Sequence, residues 1–412
     1  MQRLGGAAIL MQSDSSNGLN NKNIRFIVGD ACTIEQMKNI RPLKPFSDEV
    51  LSFLNDLSRT VMQTGKAYSD VATFGFWCRR SALIQEKNKY DDIALRLGRG
   101  IVFHIAPSNV PVNFAFSFVA GLLAGNANIV RLPSKNFDQV NIITKAINEL
   151  LKTNHQGMKP YISMVRYPHD SGITGILSTM CDSRIIWGGD QTITEIRKSP
   201  LNPRANEITF ADRYSIAVIN ADEYLKAENK EKIAQNFYND TYFSDQNACT
   251  APRLIAWLGN GKEAAKEEFW KYVHLLVAEK YSLAPVQAIG KLHALYKTAS
   301  RYDIKCEMNK DQYITRVKVD MLDGSLMDYK YNSGFFFEYD AYELNEITPI
   351  LSERCQTLTY FGLSQIELKQ FLDEYKPNGV DRVVPMGRSM DFSLVWDGYD
   401  TIRCLSRKVI VL

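Results

Sequence analysis

The sequence predicts an α/β protein with a parallel, doubly wound sheet and a second α/β unit after it. Three observations carry this expectation. Short, apolar, β-branched runs alternate with helical stretches from Gly98 to about residue 220. Strands that alternate with helices pair in parallel, because each connecting helix packs back onto the sheet. A second alternation begins near residue 221, with apolar runs at 255–258, 334–338 and 358–361. The length also fits: 412 residues, 45% hydrophobic and 23% charged, are enough for two or three domains with sizeable cores.

The elements follow in order. The first 22 residues are rich in Gly, Ser and Asn and read as a flexible tail; their apolar piece at 7–10 is too short for a signal-peptide core. Residues 46 to about 85 read as two helices, with Ser47 as N-cap and Val50, Leu51, Phe53, Leu54 and Leu57 at helical spacing. Glycines lead into a strand over 98–106. Pro107-Ser-Asn-Val-Pro breaks it and starts a helix over 111–125. The next strand is 128–132, after which Ser134 is expected to cap a helix through Val140, Ile143, Ala146 and Leu150. Further strands are expected at 162–166, 184–187 and 215–219. Residues 408–412 read as a last strand, placed where it can pair across a subunit boundary. The expected division is a tail (1–22), a first domain (23–220), a second domain (221–395) and a C-terminal strand element (396–412).

Composition excludes several functions. A net charge of +3 with no dense basic run argues against nucleic acid. The longest apolar stretch, 110–130, carries Asn113, Ser117, Asn126, Asn128 and two glycines, and so reads as a buried helix flanked by strands, not a membrane span. The seven cysteines are odd in number, scattered and without a CxxC pair, which fits a reducing cytosol and no disulfide framework. Neither they nor the five histidines form a zinc pattern, so no metal is expected.

Three clusters carry chemistry. Ala106-Pro-Ser-Asn-Val-Pro holds a sharp strand-to-helix turn at the carboxyl end of a strand, where open α/β sheets bind ligands. Asn109 there can donate to a developing oxyanion, or simply cap the next helix. Trp187-Gly-Gly-Asp-Gln-Thr follows a strand and precedes a helix over 193–197. Its glycines, Gly188 and Gly189, would let backbone approach a phosphate, or only make a turn; Trp187 is a packing residue. Asp245-Gln-Asn-Ala-Cys-Thr-Ala-Pro-Arg places Cys249 among small and polar residues in a loop entering a strand. Composition alone does not separate Cys249 from Cys32, which sits in Asp30-Ala-Cys-Thr. No GxGxxG dinucleotide fingerprint is present.

In their order along the chain, these clusters resemble the aldehyde dehydrogenase superfamily. Pro107-Ser-Asn-Val-Pro is similar to its Pro-x-Asn-x-Pro turn, Gly125-Asn-Ala-Asn-Ile-Val-Arg-Leu-Pro-Ser-Lys to its Gly-Asn segment, Ile186-Trp-Gly-Gly to its glycine loop, and Gln246-Asn-Ala-Cys-Thr-Ala-Pro-Arg to its nucleophile segment. The tail Gly379-Val-Asp-Arg-Val-Val-Pro-Met-Gly-Arg-Ser-Met-Asp-Phe, Trp396-Asp-Gly-Tyr-Asp and Ser352-Glu-Arg-Cys-Gln-Thr resemble the LuxC-type acyl-thioester reductases in particular. The likeness covers roughly residues 95–412.

The resemblance implies an aldehyde-dehydrogenase-like fold: a cofactor domain, a catalytic domain and a small strand-based oligomerisation element in a homo-oligomer. It implies Cys249 as nucleophile and Asn109 as oxyanion donor, with Ser134 and Lys135 near the adenosine ribose and Gly188 and Gly189 at the pyrophosphate. Arg131 or Lys135 would pair with a 2′-phosphate, favouring NADPH over NADH; the other reading of Arg131 is a surface salt bridge. The implied reaction reduces a long-chain acyl thioester to the aldehyde through an acyl-cysteine. The donor would be coenzyme A, a carrier protein or an acyl-protein synthetase partner. The superfamily's water-activating glutamate is replaced by Thr209, with Glu207 two residues upstream as a shifted base; Asn247, not Gln246, stands two residues before the cysteine. An acid-forming aldehyde dehydrogenase and a cofactor-free acyl relay are the competing functions. In the tail motif, Arg382, Arg388 and Asp391 read as a buried arginine–carboxylate pairing that fixes the end of the second domain.

Overall fold

The computed structural model describes residues 23–107, 110–169 and 171–412. It divides into two compact units: the chain up to Ala211 together with Asp400–Leu412, and Asp212–Tyr399.

The first unit holds β1 (Arg25–Val28), β2 (Arg96–Gly98), β3 (Ile101–Ile105), β4 (Ala127–Arg131), β5 (Ile162–Arg166), β6 (Ser183–Trp187) and β7 (Asn206–Phe210). Six of these strands form a sheet in the order β1-β5-β4-β3-β6-β7, parallel except for β1, which runs antiparallel to β5. Every residue of β3 and β4 is buried, as expected of parallel strands covered on both faces. The apolar stretch 110–130 is a buried helix (Asn113–Leu123) followed by β4. The turn between them needs Gly125, at φ +91°; a Cβ there would lie 2.2 Å from the Leu43 carbonyl oxygen. Among the described residues, no helix is long and apolar enough to cross a membrane.

Local expectations shift in three places. Residues 46–85 make three helices, Asp48–Thr64, Ser69–Trp77 and Arg80–Lys87. The first stops at Gly65, where a Cβ would lie 2.4 Å from Val71 Cγ1. Ser47 takes the N-cap position there without a side-chain cap hydrogen bond. Ser134 caps no helix: Pro133–Phe137 stays irregular, Asn136 accepts a hydrogen bond from Arg166, and the helix Asp138–Lys152 starts after Phe137. The C-terminal strand is Ser406–Lys408, and it pairs antiparallel with β2 of the same chain. The Asn126 and Asn206 side chains donate to the carbonyls of Leu405 and Cys404 at 2.9 and 3.0 Å, and Arg96 bonds the Ser406 hydroxyl at 3.0 Å. These polar groups, Asn126 and Arg96 buried and Asn206 half-buried, fix residues 404–406 onto their own unit.

The second unit holds β8 (Tyr214–Asn220), β9 (Pro252–Leu258), β10 (Ile304–Met308), β11 (Thr315–Val319), β12 (Phe335–Asp340), β13 (Cys355–Phe361) and β14 (Arg382–Pro385). The sheet order is β10-β11-β12-β9-β8-β13-β14, parallel except for β10 on β11. The strand expected to close the first domain, β8, instead lies between β9 and β13 here, so the division falls at 211/212. Tyr214, Ile216 and Val218 enter one core and Ala217 and Ile219 the other. A strand apolar on both faces suits the centre of either sheet, so its sequence does not say which sheet it joins.

Candidate functional site

In the first unit, the carboxyl ends of β4, β3 and β6 lie side by side. Arg131 ends β4 and Ser134 and Lys135 follow it, and Gly188 and Gly189 follow β6, so the structure brings these five to one end of the sheet. Asn109, expected in the turn after β3, lies outside the described residues. Gly188 donates its N–H to the Phe210 carbonyl at 3.1 Å. Gly189 is the N-cap of the helix Asp190–Arg197, and a Cβ there would meet nothing within 4 Å. Its amides and dipole make a place for an anion. Ser134 and Lys135 are exposed.

Arg131 is not the surface salt bridge of the alternative reading. It is buried, with its guanidinium 4.7 Å from the Tyr167 ring centroid, and it makes no ion pair with a described carboxylate. Sequence reasoning passed over its neighbour Arg166, the last residue of β5. Arg166 Nη1 donates to Asn136 Oδ1 at 2.8 Å, while Nε and Nη2 are buried without a partner. Burial and the nearby Arg25 depress its pKa. The available signal was a second arginine ending a strand beside Arg131.

A buried polar chain supports the β6 end. Asn128 Nδ2 donates to the Asn126 carbonyl at 2.7 Å, so its Oδ1 accepts from His104 Nε2 at 2.9 Å. That fixes the Nε2–H tautomer and leaves Nδ1 to accept from the Ser117 hydroxyl at 2.8 Å. Ser117 in turn accepts from Trp187 Nε1 at 3.1 Å. Trp187 stacks on Phe210, with centroids 3.8 Å apart, and is the packing residue expected from the sequence. Burial lowers the His104 pKa to about 4.

Glu207, on β7, is engaged by Arg184 Nε at 2.8 Å and Nη2 at 2.5 Å, and by Arg197 Nε at 2.7 Å. Both of its oxygens are thereby taken up by guanidinium groups.

In the second unit, Cys249 sits in the loop between the helix Lys230–Asp240 and β9. Asp245 and Gln246 both adopt left-handed backbone, φ 51° and 52°, which costs non-glycine residues energy and persists only where surroundings enforce it. Here they do. The Gln246 side chain accepts from the Gly334 N–H at 2.8 Å and donates to the Pro252 carbonyl at 3.1 Å. Asp245 takes hydrogen bonds from Tyr281 and from Gln287, the latter at 2.8 Å. Arg253, 6% exposed, donates to the Gln246 carbonyl, to Asn332 and, at 2.7 Å, to the Tyr331 carbonyl. Asn247 accepts from Asn332 at 2.7 Å. The Cys249 carbonyl accepts from Ser215 Oγ at 2.7 Å. Burial pushes the Cys249 thiol up, while the backbone N–H of Arg213 and the charge of Arg253 pull it back. Cys32, the local look-alike, lies exposed in the short helix Ala31–Met37.

The tail motif differs from its expectation. Arg382 donates to main-chain carbonyls of Ser389 and Asp391, at 3.0 and 2.8 Å, and sits 4.4 Å from the Trp396 ring centroid. Arg388 and Asp391 pair at 2.7 Å, both well exposed. The arginine largely buried among carboxylates in this region is Arg213, which pairs with Asp381 and, at 3.6 Å, with the more deeply buried Asp397, and donates to the Cys355 carbonyl at 2.8 Å.

The fold is that of the aldehyde dehydrogenases. A lactaldehyde dehydrogenase structure matches with TM-score 0.65 at 11% identity, covering 92% of this chain and 90% of that one. A glyceraldehyde-3-phosphate dehydrogenase from Methanocaldococcus jannaschii, complexed with NADP, matches with TM-score 0.64 at 12% identity over 95% and 92%. The long-chain acyl-protein thioester reductase of Vibrio harveyi is 24% identical over 322 residues, 76% of this chain. The match spans 63% of that relative's length. The family model described as acyl-CoA reductase (LuxC) matches residues 79–408, and the chain belongs to that family.

Proposed function

We propose that this protein reduces a long-chain acyl thioester to the aldehyde, with NADPH as reductant and Cys249 as the acyl-carrying nucleophile. The observation that carries the reading is the cysteine loop. Cys249 is partly exposed on a strained segment that Arg253, Gln246 and Asp245 hold in one geometry. The name of the Vibrio harveyi relative supports the long acyl chain, and the NADP in the Methanocaldococcus jannaschii structure supports the cofactor.

Cys249 Sγ, as the thiolate, bonds to the carbonyl carbon of the thioester. The backbone N–H of Cys249 and the amide of Asn109 take the oxyanion; one such donor typically contributes ~3–4 kcal/mol. The C–S bond to the donor thiol breaks and an acyl-cysteine remains. Glu207, held by its arginines, does not activate water against it. After reduction, the hemithioacetal on Cys249 releases aldehyde and frees the thiolate.

The same end of the first sheet fits the cofactor. Arg166 has two buried, unpartnered guanidinium nitrogens beside the segment of Ser134 and Lys135, suited to a 2′-phosphate. Gly188 and Gly189 would take the pyrophosphate at the helix N-terminus, and Arg131 would line the site against Tyr167. When bound, the reduced nicotinamide supplies the hydride. The acyl donor is coenzyme A or an acylated protein.

Purified protein is mixed with NADPH and a long-chain acyl-CoA, and absorbance of the reduced nicotinamide is followed beside Cys249→Ala. Consumption that yields aldehyde and vanishes in the variant is expected. Acylation of Cys249 with neither NADPH nor NADH consumed would overturn the reductase reading in favour of an acyl relay.

A further inference from the structure

We propose that Asp240 is a positioning residue for the nucleophile loop, acting through the turn at residues 386–391. The inference rests on Cys249 being the nucleophile.

Asp240 ends the helix Lys230–Asp240 and is fully buried. Its oxygens take three donors, all from that turn: the Gly387 N–H at 2.6 Å, the Ser389 N–H at 2.9 Å and the Ser389 hydroxyl at 2.8 Å. It forms no ion pair with a described cation, and burial pushes its carboxyl up to about 6. A buried carboxylate held only by neutral donors is an expensive way to anchor a loop, so its directional grip on the turn is the feature to explain.

The turn is fixed from two other sides. Met386 donates its N–H to the Tyr360 carbonyl at 2.9 Å, and Arg382 holds the Ser389 and Asp391 carbonyls. Gly387, at φ +93°, lies where a Cβ would come within 2.7 Å of Asn236, so the close approach to the helix needs glycine. From this fixed turn Met390 reaches the cysteine loop, where its Sδ accepts from Thr250 Oγ1 at 3.2 Å. Thr250 is buried and directly follows Cys249, whose own carbonyl is held by Ser215. Ser215 also accepts the Thr357 N–H at 3.2 Å. Cys249 is thus held through its carbonyl by β8 and β13, and through the next residue by the turn that Asp240 clamps. This gives the tail motif a physical role.

The test uses the full chain with Asp240→Asn and Met390→Leu. Asparagine keeps the shape but turns an amide N–H₂ toward the converging donors. Leucine keeps bulk and removes the sulfur that Thr250 bonds. Turnover is measured with saturating acyl-CoA and NADPH, and iodoacetamide labelling is read by peptide mapping. Cys78, Cys181 and Cys355, all buried, are internal controls. In Asp240→Asn, kcat should fall about tenfold or more with the KM for NADPH unchanged, since small misplacements of a reacting group cost that much. Labelling of Cys249 should rise severalfold, because a loosened loop admits water to the thiol, while the three controls stay protected. Met390→Leu should move both readouts the same way, by less. Cys249 labelling within about twofold of wild type in both variants would overturn the proposal. So would a rise shared by the buried controls, which would mean general loosening. If the wild-type protein consumes no nicotinamide, the reductase reading fails, and the labelling still decides the role of Asp240.

Discussion

Lowering the pH from about 7.5 to about 5 should weaken the first unit through a single histidine, His104. Its ring is fully buried between Ser117 and Asn128, and burial depresses its pKa from the ordinary 6.5 to about 4. The unfolded chain takes up a proton near pH 6.5, whereas the folded chain refuses it until near pH 4. The stability His104 contributes is therefore complete above 6.5 and is lost as the pH falls toward 4. At 1.36 kcal/mol per pKa unit the whole span is about 3 kcal/mol, of which about 2 kcal/mol falls between pH 7.5 and 5. Asp240 works the other way. Its folded carboxyl titrates near 6 against an ordinary 3.8, so the native state gains about 1.4 kcal/mol over the same interval. The two nearly cancel in the wild-type protein, and a flat curve there would mean little. His104→Asn separates them. The variant is weaker at every pH, because a polar network is broken and a cavity left. Urea unfolding by far-UV circular dichroism at both pH values gives the double difference, in which every other titrating group cancels. The wild-type protein should lose about 2 kcal/mol more than the variant on acidification. Curves parallel within about 0.5 kcal/mol would refute the assignment of a neutral, proton-refusing His104.

Three further outcomes are expected. Arg166→Gln should raise the KM for NADPH about tenfold and leave that for NADH nearly unchanged, as steady-state kinetics with both cofactors would reveal. Arg253→Lys should lower kcat about tenfold and the melting temperature by several degrees, since an ammonium cannot serve the Gln246, Tyr331 and Asn332 acceptors together; calorimetry and turnover check the two effects. Glu207→Gln should cost about 3 kcal/mol in urea unfolding, by stranding the buried Arg184, yet leave the aldehyde formed per NADPH consumed unchanged. Free acid lost on that substitution would instead make Glu207 a base.

Local order was largely legible in the sequence. The strand at Ile162–Arg166 lies where its β-branched run places it, and the 110–130 stretch is the buried helix and strand that its asparagines demanded. Cys249 stood out only through the order of several motifs, since Cys32 has the same immediate neighbours. Tertiary structure decided what periodicity cannot encode. The sheet that β8 joins depends on which unit covers its two apolar faces. The partner of the last strand depends on Asn126, Asn206 and Arg96, distant in sequence and adjacent only once folded. The orphaned nitrogens of Arg166, the tautomer of His104 and the grip of Asp240 on Gly387 and Ser389 are likewise long-range facts. Period and propensity act over a few residues and so fix the elements, whereas hydrogen-bond partners drawn from different elements exist only after those elements have packed.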